Sequence, residues 1–371
     1  MINKDRLIKT FTELTAIDSL SLKERAMADI ITIKLKELGL EVTEDNSGDI
    51  TGSDAGNILA RYTVPGKEDE PYVLFAAHMD TVGPGIGKKS IIHEDGRITS
   101  DGTTVLGADD AAGIAEILEA LRELTEEGQP HHNIEVLFTV AEELYTVGAS
   151  AFDISTIKAD RAYFLDRAGD IGSVTMTEPT LICFTINIEG KASHAGFAPE
   201  KGVNSIVIAS KAIASLNVGR VDENTTLAIG MIEGGVAPNV VPASVKVSGE
   251  IRSQVHEEAL ALLDKVKNTF EIEADKLGGK AVLESKVHLT AYTVPDNSRA
   301  LSKYEEVLSE LGVTCLKEKS LGGSDSNPFR RQGIDSICIA NAMWDIHSEN
   351  EYTDIDSMAK VTEIIKRLMT A

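Results

Sequence analysis

Five short stretches of this chain place acidic or imidazole side chains at the end of an apolar run or in a glycine-rich turn. They are His78 and Asp80 in AAHMDTV, Asp109 and Asp110 in GADDAAG, Glu142 and Glu143 in TVAEEL, Asp166 in FLDRAG, and His347 in WDIHSENEY. Taken singly, each has an ordinary explanation. Asp109 or Asp110 would cap the helix that follows, the two glutamates would be a solvated strand end, Asp166 would open a turn, and His347 would lie on the surface. His78 and Asp80, at i and i+2 of a strand, would share a face and satisfy one another, since an unpartnered imidazole or carboxylate in a core is costly. Taken together, the ordinary explanations need five coincidences, whereas one metal site explains them all. Mixed carboxylate and imidazole donors suit zinc, and more loosely cobalt or manganese. Three carboxylates and two histidines suffice for two ions that share a bridging carboxylate. Of the other histidines, His93, His131, His132, His256 and His288 fall in polar or unpatterned contexts.

The elements that must position these groups follow from periodicity. LIKTFTELTAI and MADIITIKLKELG carry apolar residues at helical spacing, and Gly39 can stop the second. YVLFAAH, IEVLFTVAEE and RAYFLDRAG read as strands, with the helix AAGIAEILEALRELTEEG between the first two. Strands alternating with helices predict an α/β/α layered domain, in which functional groups gather beyond the carboxyl ends of the strands. Four of the five clusters stand at such an end or open the next helix.

The pattern changes near residue 178. LICFTINIEG, GVNSIVIASKAIASLN, TLAIGMI, SVKVSGEIRS, EEALALLDKVKNTFEIEADKLG and AVLESKVHLT read as strand, helix, strand, strand, helix, strand. That βαββαβ order predicts a ferredoxin-like module. The helix–strand alternation then resumes through SICIA to the final helix SMAKVTEIIKRLM. The expected organisation is therefore a catalytic domain with a mixed sheet over residues 1–178 and 292–371, interrupted by an inserted domain over 179–291.

Composition narrows the function classes. The chain has 371 residues, 42% apolar and 26% charged, and a net charge of −23. Such an acidic balance argues against nucleic acid, whose binding relies on Lys and Arg at phosphates. No stretch approaches the roughly 20 apolar residues of a membrane span. MINKDRLIKTFTELT reads as a first helix and not as a signal peptide, so the expected location is the cytoplasm. Cys183, Cys315 and Cys338 lie far apart and are expected to be reduced, buried thiols.

The motifs HMDTV, GADDAAG, AEEL followed by GA, SHAG and IHSENEY, in that order over nearly the whole chain, resemble a known family. It is the zinc-dependent exopeptidases and aminoacylases that include peptidase T, carboxypeptidase G2 and acetylornithine deacetylase, with the peptidase T-like branch nearest. The resemblance implies His78 and Asp166 on one metal, Glu143 and His347 on the other, and Asp109 bridging. It implies Asp80 as the carboxylate that holds the His78 imidazole, Glu142 as general base, and a cis peptide at Asp109–Asp110. In the inserted domain it implies that His194 supports the oxyanion from a neighbouring subunit. Asn239 and Arg252 would hold the substrate's polar end, and the Gly322–Gly323 turn, with Ser324 and Asp325, would lie near its backbone. Ala111 stands where peptidase T-type sequences carry Lys.

The implied protein is a two-zinc exopeptidase for small peptides, a tripeptide aminopeptidase, dimeric through an inserted lid. Two other readings use the same residues: a metal-dependent carboxypeptidase or N-acyl amino acid deacylase, and a metal-binding relative without catalysis. Glu142, which catalysis needs and metal binding does not, speaks against the last.

Overall fold

A computed structural model describes residues 2–128 and 131–370. The chain divides into two compact units: Met1–Met176 with Thr293–Lys319 and Ser324–Ala371, and Thr177–Tyr292 with Ser320–Gly323.

The first unit is built on four adjacent parallel strands, in the order Asn133–Thr139, Tyr72–His78, Ala159–Arg167, Asp335–Ala340. Ile58–Tyr62 pairs antiparallel outside the first of these, and Val174 and Thr175 pair antiparallel outside the last. The sheet is therefore mixed, as expected. All seven residues of Tyr72–His78 and of Asn133–Thr139 are buried. This is the near-continuous apolar signature of strands covered on both faces. On one face Tyr72, Leu74, Ala76, Leu137, Ala162 and Phe164 join Phe152 and Phe329. Phe75 and Tyr163 stack with ring centroids 5.4 Å apart. Each such side chain contributes about 1.5–3 kcal/mol through burial. The helix Ala108–Glu127 is buried along most of its length, and Lys4–Thr15 and Ile355–Thr370 pack on it, with Arg6 of the former paired to its Glu119 and Glu123.

The second unit is an antiparallel sheet in the order Gly219–Arg220, Thr225–Gly234, Ser244–Ser253, Thr180–Glu189, Lys280–Leu289. The helices Ser205–Ala214 and His256–Leu277 connect its long strands. Every second residue of Thr180–Glu189 (Ile182, Phe184, Ile186, Ile188) enters one core with Ile208, Ala212, Val266 and Phe270 from those helices. The four long strands have the ferredoxin-like order.

Two expectations change in detail. Cys338 is buried, but Cys183 and Cys315 are only half-buried; all three are free thiols. The 72–78 strand ends at His78, so Asp80 lies beyond it and is not placed by strand alternation. Among the described residues no helix is long and apolar enough to cross a membrane.

Candidate metal centre

The four parallel strands end on one edge, and their register sets the candidate ligands level. His78 pairs with Thr139 of one neighbour. Ala76 pairs with Phe164 of the other, which puts Asp166 alongside His78. Glu142 and Glu143 follow the Asn133–Thr139 strand in a short 3-10 turn, and His347 follows Asp335–Ala340.

Asp109 and Asp110 sit where the helix Ala108–Glu127 is not yet regular. Gly107 is left-handed, and both aspartates have non-helical backbone angles. The peptide between them is cis. Gly113 explains the end of GADDAAG: an added Cβ would lie 2.5 Å from the Asp110 Oδ1 and 3.0 Å from Leu165. Gly148 explains the GA after AEEL, because a Cβ there would lie 1.8 Å from the carbonyl oxygen of Val140. Both glycines let backbone approach closely beside a candidate ligand.

The side chains converge. Asp109 Oδ1 lies 2.9 Å from His78 Nε2, and its Oδ2 lies 3.1 Å from His347 Nε2. His347 Nε2 is 2.8 Å from Glu143 Oε1, and His78 Nε2 is 3.9 Å from Asp166 Oδ1. Among the described residues three sets could each hold an ion: His78 with Asp109 and Asp166, Asp109 with Glu143 and His347, and His78 with Glu142 and Glu143. Only the first two together use all five expected ligands, share Asp109 alone and leave Glu142 free. The other histidines lie outside these groups.

The electrostatics fit a cation. Burial, and then the neighbouring acids, drive the Glu142 and Asp166 carboxyls well above the ordinary range, and burial raises Glu143. Burial opposes charge on His78, yet Asp109, Asp80 and Asp166 hold its pKa well above the ordinary value. Hydrogen bonds to Asp109 and Glu143 raise His347 to about 10. A buried group of acids pushed toward protonation and clinging to imidazolium is the environment a divalent ion would relieve. The donor set is the carboxylate–imidazole mixture suited to zinc, cobalt or manganese.

Asp80 plays a broader part than expected. The His78 Nδ1 lies 2.9 Å from the Asp80 backbone oxygen and 3.5 Å from its carboxylate. That carboxylate is taken up by the N–H groups of Glu142 and Glu143 and by the Ser21 hydroxyl, at 2.9, 3.2 and 2.7 Å. It holds the turn carrying both glutamates.

Further braces escape a reading of the sequence. Glu24 Oε1 accepts the Ala141 N–H at 3.0 Å, Asp110 Oδ2 accepts that of His78 at 3.0 Å, and Asn341 donates to Asp110 at 2.5 Å. Glu24 has no sequence signal, because its turn resembles any polar loop. Positive φ in residues other than glycine is concentrated here, at Ala141, Tyr145, Thr146, Ala342, Asp345 and His347. Such backbone persists where its surroundings over-determine it, and it clusters at functional sites. Asp325, buried, accepts from the Thr139 hydroxyl, and burial pushes its carboxyl up to about 7.

In the second unit His194 and Asn239 adjoin: Ser193–His194 pairs with Val240–Val241, and Ala195 donates to the Asn239 carbonyl at 3.0 Å. The His194 Nδ1 accepts from Gly196 and Phe197 N–H at 3.1 and 3.2 Å, so in the neutral ring Nε2 carries the proton. Arg252, on another strand, is engaged: Nε and Nη2 bind Glu250 at 2.6 and 3.1 Å, and Nη1 donates to the Leu321 carbonyl at 3.0 Å. Gly323 packs where a Cβ would lie 2.0 Å from Leu289 Cδ1.

A sheet edge that gathers two imidazoles and a ring of acids, on this two-unit fold, defines a metallopeptidase class, and comparison with known proteins agrees. Residues 74–371 match the model of peptidase family M20/M25/M40, and the chain belongs to that family. It is 39% identical to the uncharacterized protein YqjE of Bacillus subtilis, over 98% of both chains. It is similar to the crystal structure of aminopeptidase PepT from Bacillus cereus (39% identity, TM-score 0.90, covering 99% and 98% of the two chains). It is also similar to that of a tripeptidase from Staphylococcus aureus (35% identity, TM-score 0.94, covering 100% and 98%).

Proposed function

We propose that this protein is a two-zinc tripeptide aminopeptidase of the cytoplasm. The observation that carries the reading is the placement of the Asp109 carboxylate, with one oxygen at His78 and the other at His347. The likeness to a PepT aminopeptidase and to a tripeptidase supports the substrate class. His78, Asp109 and Asp166 would hold one ion, and Asp109, Glu143 and His347 the other. Two such ions would polarise the scissile carbonyl and acidify a water.

The chain's own groups supply the rest. Glu142, held by its N–H on Asp80, takes a proton from the attacking water and returns it to the leaving amine. Asp80, through its backbone oxygen, keeps His78 in the tautomer that offers Nε2 to a ligand. His194 would donate from Nε2 to the developing oxyanion, and Asn239 and Gly323 would line the substrate. Arg252, already paired with Glu250, serves a substrate carboxylate only after exchanging partners.

We further propose that the second unit is a lid through which two copies pair. Residues Ala228–Gly234 continue their strand beyond the short Gly219–Arg220 partner, leaving one edge open. Met231 and Ile232 on that edge are 57% and 53% exposed, and Phe197 and Val236 are each 87% exposed. An open apolar edge is a template for pairing with a like strand. Light scattering should give a dimer; a monomer at micromolar concentration would remove the cross-subunit role of His194.

The deciding experiment uses zinc-loaded protein with free tripeptides, N-blocked tripeptides, C-amidated tripeptides and N-acetyl amino acids. Cleavage that requires a free amino terminus is the expected result. Cleavage of blocked substrates that requires a free carboxylate would instead make the protein a carboxypeptidase or deacylase.

A further inference from the structure

Glu351 lies four residues beyond His347 and is buried. Its Oε2 accepts the N–H of Gly107 at 2.8 Å, and its Oε1 accepts that of Asp109 at 2.9 Å. The segment it grips is the irregular entry to the Ala108–Glu127 helix, where the backbone angles of Asp109 and Asp110 depart from helical values. The N–H groups of Gly107 and Asp109, at the start of the helix, have no carbonyl a turn earlier in the helix to bind, so they depend on outside partners. A small rotation there would swing the two Asp109 oxygens away from His78 and His347.

The other end of the grip is the His347 loop, with left-handed residues at Ala342, Asp345 and His347, closed at its base by paired backbone bonds between Trp344 and Tyr352 at 3.0 and 3.1 Å. Ser348 donates from its hydroxyl to the Asp345 carbonyl at 2.7 Å, and the Glu351 N–H donates to the Ser348 carbonyl at 3.1 Å. One side chain therefore joins the segment that carries Asp109 to the loop that carries His347.

We propose that Glu351 is a positioning residue of the metal centre: it sets the attitude of the Asp109 carboxylate and ties the His347 loop to it, without itself binding an ion. This rests on the two-ion reading above. A plain helix-capping role would make a different prediction, namely lost stability with unchanged metal affinity.

The test is cobalt titration of the metal-free full chain, followed by calorimetry and by the visible absorption of the bound ion. Glu351→Gln keeps the shape but faces one of the two N–H groups with its own NH₂. Glu351→Asp keeps the charge but draws both oxygens back by a methylene. Both variants should bind both ions about 10–100-fold more weakly, the range seen when a ligand's outer support is lost, with an altered cobalt spectrum and a metal-free Tm within a few degrees of the parent. A parental isotherm and spectrum in either folded variant would overturn the proposal. So would failure of both to fold, which would make Glu351 a folding residue. No cobalt uptake by the unaltered protein would remove the two-ion reading itself, and this inference with it.

Discussion

The two units present their candidate functional groups in opposite ways. In the first, His78, Asp109 and Glu142 are buried, and the backbone segments that carry His78, Asp109 and the two glutamates are held by carboxylates from elsewhere: Asp110, Glu351, Asp80 and Glu24. In the second, His194 and Asn239 are exposed, and Arg252 is half-buried on a neighbour of its own strand. The difference follows from what each task requires. Metal ligands must be set to within about half an ångström before the ion arrives, so they need a rigid shell around them. Groups proposed to meet a substrate can remain solvated until it binds. His347 is the exception in the first unit, with a side chain 46% exposed, which marks the open side of the centre.

The hardest test of that contrast is Asp109→Asn. Loss of the shared carboxylate should strip both ions and reduce hydrolysis to background, read by elemental analysis and by assay on one sample. Retention of one full equivalent would mean that the two sets do not share Asp109. Next in size, Glu142→Gln should lower kcat by about 10²–10⁴-fold while the metal content stays parental. If activity survived, Glu142 would not be the base.

His194→Ala sharpens the comparison from the other side. Its kcat should fall about 10²-fold, as for one lost oxyanion donor, with metal affinity unmoved. A change in metal content would place His194 among the ligand supports.

The smallest effect is expected at the opposite end of the parallel strands. Burial would raise the Asp335 carboxyl, but the Ala300 N–H, Arg330 and the Ser298 hydroxyl hold it below the ordinary range. A depressed folded pKa gives stability that is present above the unfolded value of about 3.9 and lost as pH falls through the folded one. Asp335→Asn should therefore cost about 1 kcal/mol at pH 7, a modest figure because the site is partly solvated. The gap in Tm should close below about pH 4. A gap independent of pH would show that shape, and not charge, matters there.

How much of this was legible in the sequence divides along chemical lines. The strands that end at His78, before Glu142 and at Asp166 were readable because burial on both faces demands unbroken apolar runs. The five ligand clusters were readable because charged groups at the ends of such runs are costly without a purpose. The braces were not. Glu24, Asp110 and Glu351 act by accepting backbone N–H groups across 117, 32 and 242 residues of sequence, and no local pattern encodes such pairings. Asp80 was visible as part of a motif, but its grip on the Glu142–Glu143 turn depends on how that turn folds back. The pairing of Arg252 with Glu250 was there to be seen, since residues two apart on a strand share a face.

The order in which the chain is made gives the sheet a final consequence. Asp335–Ala340 is the last of the four parallel strands in sequence, yet it lies directly beside Ala159–Arg167. A ribosome will have released His78, Asp109, both glutamates, Asp166 and the entire second unit before His347 and Glu351 emerge. Until then the chain lacks the second imidazole at Asp109, the Glu351 carboxylate that accepts the Asp109 N–H, and the fourth parallel strand. His347 and Glu351 are thus the last members of the candidate centre to be added.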